Sequence, residues 1–212
     1  MSELSATRGK GVASVRYGPL TIGYDASVLS PRPWTQVQAR WGSALLEDLP
    51  RGPVLELCSG AGHIGLLTVH GHDRRLVSVD SSAAACAWVR RNAHRHGIDA
   101  DVRQDNMSHA LDPEERFPLI TADPPSVRHA DLHRYPGYPE SAIDGGPDGL
   151  TEARRCLRVI GQHLSATGEA LLQLGSVDQV HQLTASLRLS GLAPAELRVI
   201  PDRAVVVRMR RR

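Results

Sequence analysis

Residues 121–127 read TADPPSV, so an apolar run ends in one acid and two prolines. A proline carbonyl accepts hydrogen bonds while its nitrogen has no N–H to give, and an ionised carboxylate only accepts. Asp123 and the Pro124 carbonyl therefore make an acceptor-only corner, with Pro125 and Ser126 completing the tetrapeptide. Such a corner suits an NH2 group that is held while its nitrogen attacks a methyl. A rigid turn that caps a helix is the plainer use of the same residues.

Three other features fall where strands should end. ELCSGAG at 56–62 resembles the pattern GxGxxG, with Cys58 in place of the first glycine. Small residues there let the backbone approach a ligand closely. Asp80 stands at the end of the next apolar run, about two dozen residues after Glu56. It is placed to accept both hydroxyls of a ribose, or to cap the following helix, a task open to Ser81 or Ser82 as well. Asp105 follows a third run and is placed for an adenine amino group, or is a solvated turn acid. The glycine loop and Asp80 fit a nucleotide cofactor or S-adenosylmethionine. The acid at Glu56 and the incomplete pyrophosphate pattern favour the second.

These groups need a scaffold that gathers strand ends on one edge. The stretch 14–22 reads as a hairpin about Gly18-Pro19, and a helix is expected over about 35–48 after the PRP of 31–33. Strands are expected at 54–58, 75–79, 101–104, 117–122 and 169–174. Helices are expected to start at His63 and to cover 83–95, 150–164 and 177–190, and a long loop fills 126–148. Strands near 196–200 and 204–209 are joined by three residues only, so they must be antiparallel. The fold expected is α/β: a three-layer Rossmann-like arrangement with a mostly parallel seven-stranded sheet and a C-terminal antiparallel hairpin. Residues 1–50 form an extension with hairpin and helix, and 51–212 carry the ligand site. Residues 1–12 are expected to be loose, and the basic tail RMRRR at 208–212 to be frayed and solvated.

Composition narrows the function. Aromatic residues make up 4% of the 212-residue chain, with one Phe, which argues against a base-stacking RNA surface. A net charge of +2 is too small to imply nucleic acid. Three cysteines without a CxxC suggest a reducing compartment and no zinc site. The scattered histidines suggest no metal. No apolar stretch has the length of a signal or membrane segment, and a cytoplasmic protein is expected.

Taken together, the segments resemble class I S-adenosylmethionine-dependent methyltransferases, and among them the release-factor glutamine N5-methyltransferases. VLSPRPWT at 28–35 is similar to that family's VLIPRPET. VLELCSGAGHIGL at 54–66 fills its VLDLGTGSGAIGL position, and AIDGGPDGL at 142–150 its ALDGGxDGL stretch. GEALL at 168–172 and Asn92-Ala93 also match, and the likeness runs over roughly 14–210. It implies S-adenosyl-L-methionine as cofactor. It places Pro31, Arg32, Glu56, Cys58, Ser59, Gly60, Gly62, His63, Ile64, Asp80, Ser81, Asp105, Asn106, Met107 and Asp123 around that cofactor. Asp123, Pro124, Pro125 and Ser126 then stand at the reacting centre.

Three departures bear on the acceptor. The family's NPPY is DPPS here, beginning with the aspartate that DNA adenine N6-methyltransferases use in DPPY. Trp34 and Gln36 replace two glutamates of the PRPETE segment. The chain begins almost at the hairpin, so the family's N-terminal docking domain is expected to be missing. A protein glutamine, a small-molecule amine or amide, a nucleobase, and a cofactor-binding protein without turnover all stay open, the nucleobase being less favoured. Arg128, His129, His133, Arg134 and Tyr135 suit a clamp for an acidic substrate or a lid, although plain polar loop residues are the commoner use. The oligomeric state is left open, with the terminal hairpin offering an edge.

Overall fold

The computed structural model describes residues 7–8 and 11–212. Strand β1 (Thr7–Arg8) pairs with β2 (Val12–Tyr17), which pairs with β3 (Leu20–Asp25), all antiparallel. The segment 1–12, expected to be loose, thus contributes pairing residues at 7–8 and 12; its remainder, Gly11 apart, lies outside the described residues. Gly18-Pro19 forms the two-residue turn, and Gly18 at φ +62° supplies the left-handed residue that tight hairpins need.

A 3-10 turn at Pro33–Thr35 leads into α1 (Gln36–Leu45). The chain then alternates: β4 (Val54–Leu57), α2 (His63–Val69), β5 (Leu76–Asp80), α3 (Ala83–Arg95), β6 (Ala100–Gln104) and β7 (Phe117–Ala122). After a long connection containing α4 (Glu140–Ile143) come α5 (Thr151–His163) and β8 (Leu164–Leu174). Two short helices, α6 (Val177–Gln182) and α7 (Thr184–Leu189), precede β9 (Leu192–Ile200) and β10 (Ala204–Arg211). The seven-stranded sheet has the order β6-β5-β4-β7-β8-β10-β9, parallel except for β10, which runs against β8 and β9. This is the expected α/β fold.

Every residue of β4 and β7 is buried, as a parallel strand covered on both faces requires. One face packs Leu55, Leu57, Ile120 and Leu172 against Leu157 and Ile160 of α5. The other packs Val54 and Leu119 with Ile64 and Leu66 of α2, Trp88 of α3, and Val15, Tyr17, Leu20 and Ile22 of the hairpin. The N-terminal hairpin therefore shares its core with the sheet.

Four expectations are corrected. β8 starts at Leu164, directly from α5, because Leu164 is fully buried and pairs with Phe117. β9 begins at Leu192. The helix expected over 177–190 breaks at Leu183, whose N–H is shared between the Gln179 and Val180 carbonyls. The basic tail is not frayed: Arg210 Nε donates to buried Glu169 Oε1 at 2.7 Å and Arg211 Nε to the Leu164 carbonyl at 2.7 Å.

Asn92 fastens the hairpin to the sheet. Its Oδ1 accepts from Gly23 N at 2.8 Å, and its Nδ2 donates to the Gly23 and Ala61 carbonyls, each at 2.9 Å. The side chain is buried, so its loss strands three backbone groups away from water. Asn92→Ala should lower stability by about 2–4 kcal/mol, read as a lower urea midpoint with an unchanged slope.

Candidate active site

The strand order reverses between β4 and β7, and a crevice opens there at the carboxyl ends of the strands. Leu57 and Ala122 are paired in register, so Cys58 and Asp123 leave the sheet side by side. The turn after β4 is tight. Cys58, Gly60 and Gly62 all hold positive φ, at 57°, 52° and 77°. For Cys58 that conformation costs about 1 kcal/mol or more. Its side chain packs against the core on the α5 side, with the Cys58 thiol meeting that of Cys156. At Gly65, one turn into α2, an added Cβ would stand 2.5 Å from Glu56 Oε2, so the helix must approach the acid bare.

Five carboxyl groups line one cavity of about 350 Å3: Glu56, Asp80 and Asp123 at the strand ends, and Asp144 and Glu152, which pair with His129 and Arg155. Glu56 is buried; its Oε1 accepts from Gly65 N at 2.7 Å and its Oε2 from Ser78 Oγ at 2.9 Å. Burial raises its pKa to about 7. Asp80 takes the Gly60 N–H on Oδ2 and the Ser82 N–H on Oδ1, each at 2.9 Å, and burial raises it despite both bonds. It does not cap α3: Ser82 Oγ does, accepting from Ala85 N. Asp123 Oδ1 accepts from Gln173 Nε2 at 2.9 Å, and burial raises its pKa to about 6. Gln38 bonds the Ala122 and Leu171 carbonyls and so fixes the strand ends behind Asp123.

Among the described residues, no cation pairs with Glu56, Asp80 or Asp123. Arg155, the arginine lining the cavity, pairs with Glu152 at 2.8 Å, and burial holds His63 neutral with a pKa of about 3. Two residues of the lining, Ser59 and His63, each keep one buried polar atom, Oγ and Nδ1, without a protein partner among the described residues. Such a cavity repels a pyrophosphate and suits a ligand that brings positive charge and several hydrogen-bonding atoms. The donor set fits S-adenosylmethionine, whose sulfonium and ammonium are both cationic.

The structure gathers Glu56, Cys58, Ser59, Gly60, His63, Ile64, Asp80, Ser81, Asn106, Met107, Asp123 and Pro125 around this cavity. The other expected residues stand outside the lining. Gly62 is turned against Val89, where a Cβ would sit 3.0 Å away. Asp105 is an exposed turn acid bonding the Asn106 N–H. Pro31 is buried under the turn before α1, and Arg32 stacks on Trp34 and Tyr138. Pro124 is buried beside the lining, and Ser126 turns its carbonyl to Gln179 Nε2 at 3.2 Å. Residues 27–29, Ser141, Ala142, Asp144, Glu152 and Arg155 also line the cavity and were missed, as were Leu57, Val79, Ser82, Ala85, Thr121 and Ala122 at the strand ends and the start of α3. The neighbouring VLSPRP and AIDGGPDGL stretches carried the signal for the first six; Glu152 and Arg155 look like an ordinary helix-surface pair.

Among the described residues, no group of three or more His, Cys, Asp and Glu side chains is arranged to hold a metal ion. No helix there is long and apolar enough to cross a membrane.

Fold and site together define the Rossmann-like class of methyl-transfer domains. Residues 40–183 match the family described as the methyltransferase small domain, and the chain belongs to that family. Its cofactor is S-adenosylmethionine. The chain is 29% identical over 170 residues to the release factor glutamine methyltransferase of Mycolicibacterium smegmatis, covering 76% of this chain and 59% of that protein. It is 34% identical over 130 residues to the ribosomal protein uL3 glutamine methyltransferase of Bradyrhizobium diazoefficiens, covering 58% and 40%. The matches thus span less than two thirds of either relative. Among solved structures, a methyltransferase from Pyrococcus furiosus superposes with a TM-score of 0.65 at 16% identity, covering 91% of this chain and 89% of that one.

The raised pKa of Asp123 has a measurable sign. An acid that burial holds protonated contributes stability below the ordinary carboxylate range and loses it as pH rises through about 6. Asp123→Asn removes that penalty. From pH 4 to pH 8 the variant should gain about 2–3 kcal/mol relative to the parent chain, read from paired denaturation midpoints of the free proteins.

Proposed function

We propose that this chain transfers the methyl group of S-adenosylmethionine to the side-chain nitrogen of a glutamine in a protein acceptor. The observation that carries this reading is Asp123: a half-buried carboxylate steered by Gln173, leaving the sheet beside the cavity. The names of the curated relatives support the glutamine.

When bound, S-adenosylmethionine supplies an electrophilic methyl. The protein's part is to hold the nitrogen in line and keep water out. Gln173 occupies Asp123 Oδ1, which leaves Oδ2 for one N–H of the acceptor, and the Pro124 carbonyl takes the other. As the nitrogen gains positive charge, the bond to Asp123 strengthens more than any bond made in the ground state, and that difference lowers the barrier. Gln38 and Gln173 fix the strand ends, so little reorganisation is needed as charge develops. On the cofactor side, Asp80 would hold the ribose hydroxyls and Glu56 would face the methionine ammonium, with Ser59 and His63 in the wall around them. Residues 51–212 form the catalytic unit in this reading, and the hairpin of β2 and β3 packs against it through Tyr17. Three free cysteines support a cytoplasmic setting.

A second reading has its own observation. Asp123 in the asparagine position, with Ser126 in place of an aromatic ring, favours a more basic small-molecule amine.

Asp123→Asn should keep S-adenosylmethionine binding, and Asp123→Ala should keep binding yet lose turnover by about a hundredfold or more. Cofactor titration beside steady-state rates checks both; full activity in the alanine variant removes Asp123 from the mechanism. Incubating a cell extract with methyl-labelled cofactor separates the readings. Label released from protein as N5-methylglutamine is the expected outcome, and label confined to small molecules transfers the assignment to the amine.

A further inference from the structure

We infer that Arg32, Trp34, Tyr138 and Arg203 form a docking ledge for an acidic segment of the protein acceptor, an inference that rests on the protein-acceptor reading above. The four residues come from three separate stretches: the turn before α1, the connection after β7 and the turn between β9 and β10. Packing brings them together. The Arg32 guanidinium lies 5.7 Å from the Trp34 ring centroid and 4.9 Å from that of Tyr138, and the Arg203 guanidinium lies 5.2 Å from Trp34. Trp34 thus carries a cation from each of two chain segments. Tyr135, its ring 6.4 Å from Tyr138, extends the aromatic surface.

Topology puts this ledge on the acceptor side of the site. β8 lies beside β7 in parallel, with Ala122 opposite Leu172. β10 runs against β8, with Val205 opposite Leu174. The turn at 201–203 therefore opens at the sheet edge where β7 delivers Asp123, on the side away from β4 and β5. Asp202 in that turn holds a positive φ of 57°, a conformation that costs free energy and recurs where a loop is held for function.

Charge identifies the occupant. The arginines and histidines that the sequence singles out nearby already have partners, His133 Nδ1 lying 2.9 Å from the Ala130 carbonyl. Arg128 and Arg134 both pair with Asp131, and His129 pairs with Asp144. Arg32 and Arg203 make no ion pair and no side-chain hydrogen bond with the described residues. A guanidinium stacked on a ring keeps its N–H edge free, and that edge matches a carboxylate with two parallel hydrogen bonds. Two such cations suit one or two acidic side chains. They are too few for a nucleic acid, whose binding rests on many phosphate contacts.

The test uses short synthetic peptides with one glutamine, flanked by glutamates, by lysines or by neutral residues, and an oligouridine of similar length. Binding is followed by fluorescence anisotropy and turnover by labelled methyl transfer. The parent chain should show its lowest KM on the glutamate peptide, with the advantage shrinking as salt is raised. Arg203→Ala, on an exposed turn, should raise that KM about fivefold while leaving cofactor affinity and turnover of the neutral peptide unchanged. Arg203→Glu should turn the preference toward the lysine peptide. Equal KM values for all three peptides in the parent chain, or a glutamate preference that survives Arg203→Glu, overturns the ledge and leaves the glutamine reading intact. Arg203-dependent binding of the glutamate peptide without methyl transfer upholds the ledge and sinks that reading. Arg203-dependent binding of oligouridine tighter than that of any peptide overturns the acidic partner.

Discussion

The site depends on one topological constraint: the chain diverges in opposite directions from the carboxyl ends of β4 and β7. A parallel sheet needs covering helices on both faces, and at the switch between the two halves no crossover can fill the gap. The opening is thus a by-product of how parallel strands are connected. What the sequence adds is bare backbone on one side, at Gly60 and Gly65, and a rigid proline pair on the other. Gln38 and Gln173, anchored in α1 and β8, then fix the β7 lip against β8.

The electrostatics of the opening follow from what is kept out of it. Glu56, Asp80 and Asp123 are held by neutral donors, namely backbone N–H groups, a serine and a glutamine amide. A nearby arginine would have made each acid comfortable and useless for a cationic guest. Burial instead leaves them under-compensated, so an entering sulfonium or ammonium receives the full attraction. The arrangement works as a preorganised polar environment.

Much of this was legible in the chain. Asp80 and Asp123 sit at the ends of apolar runs, and period and turn signals suffice to place strand ends on one edge. The short antiparallel return at 201–203 was equally plain, because three residues cannot make a crossover. Other features depend on contacts between distant segments. The arginines of the C-terminal tail read as solvated until Glu169 appears opposite Arg210. Asp105 has the spacing of a ligand residue and the exposure of a turn acid. Arg32, Trp34, Tyr138 and Arg203 share no local pattern at all; only packing of three segments unites them. The start of β8 was misplaced because its first residues look like a polar turn, while their pairing with β7 is decided by Leu164 alone.

The shared core of the hairpin and the sheet has a consequence for synthesis. Val15, Tyr17, Leu20 and Ile22 are made before their partners, yet they bury against Ile64, Leu66, Trp88 and Leu119. About a hundred residues separate Val15 from the last of these, and at roughly 5–20 residues per second the wait is about 5–20 s. Through that interval the hairpin is an exposed apolar ribbon with an open edge. Its two-residue turn lets it pair locally, but its other face finds cover only once β7 is made. The hairpin is thus a part in need of a holdase until β7 is made.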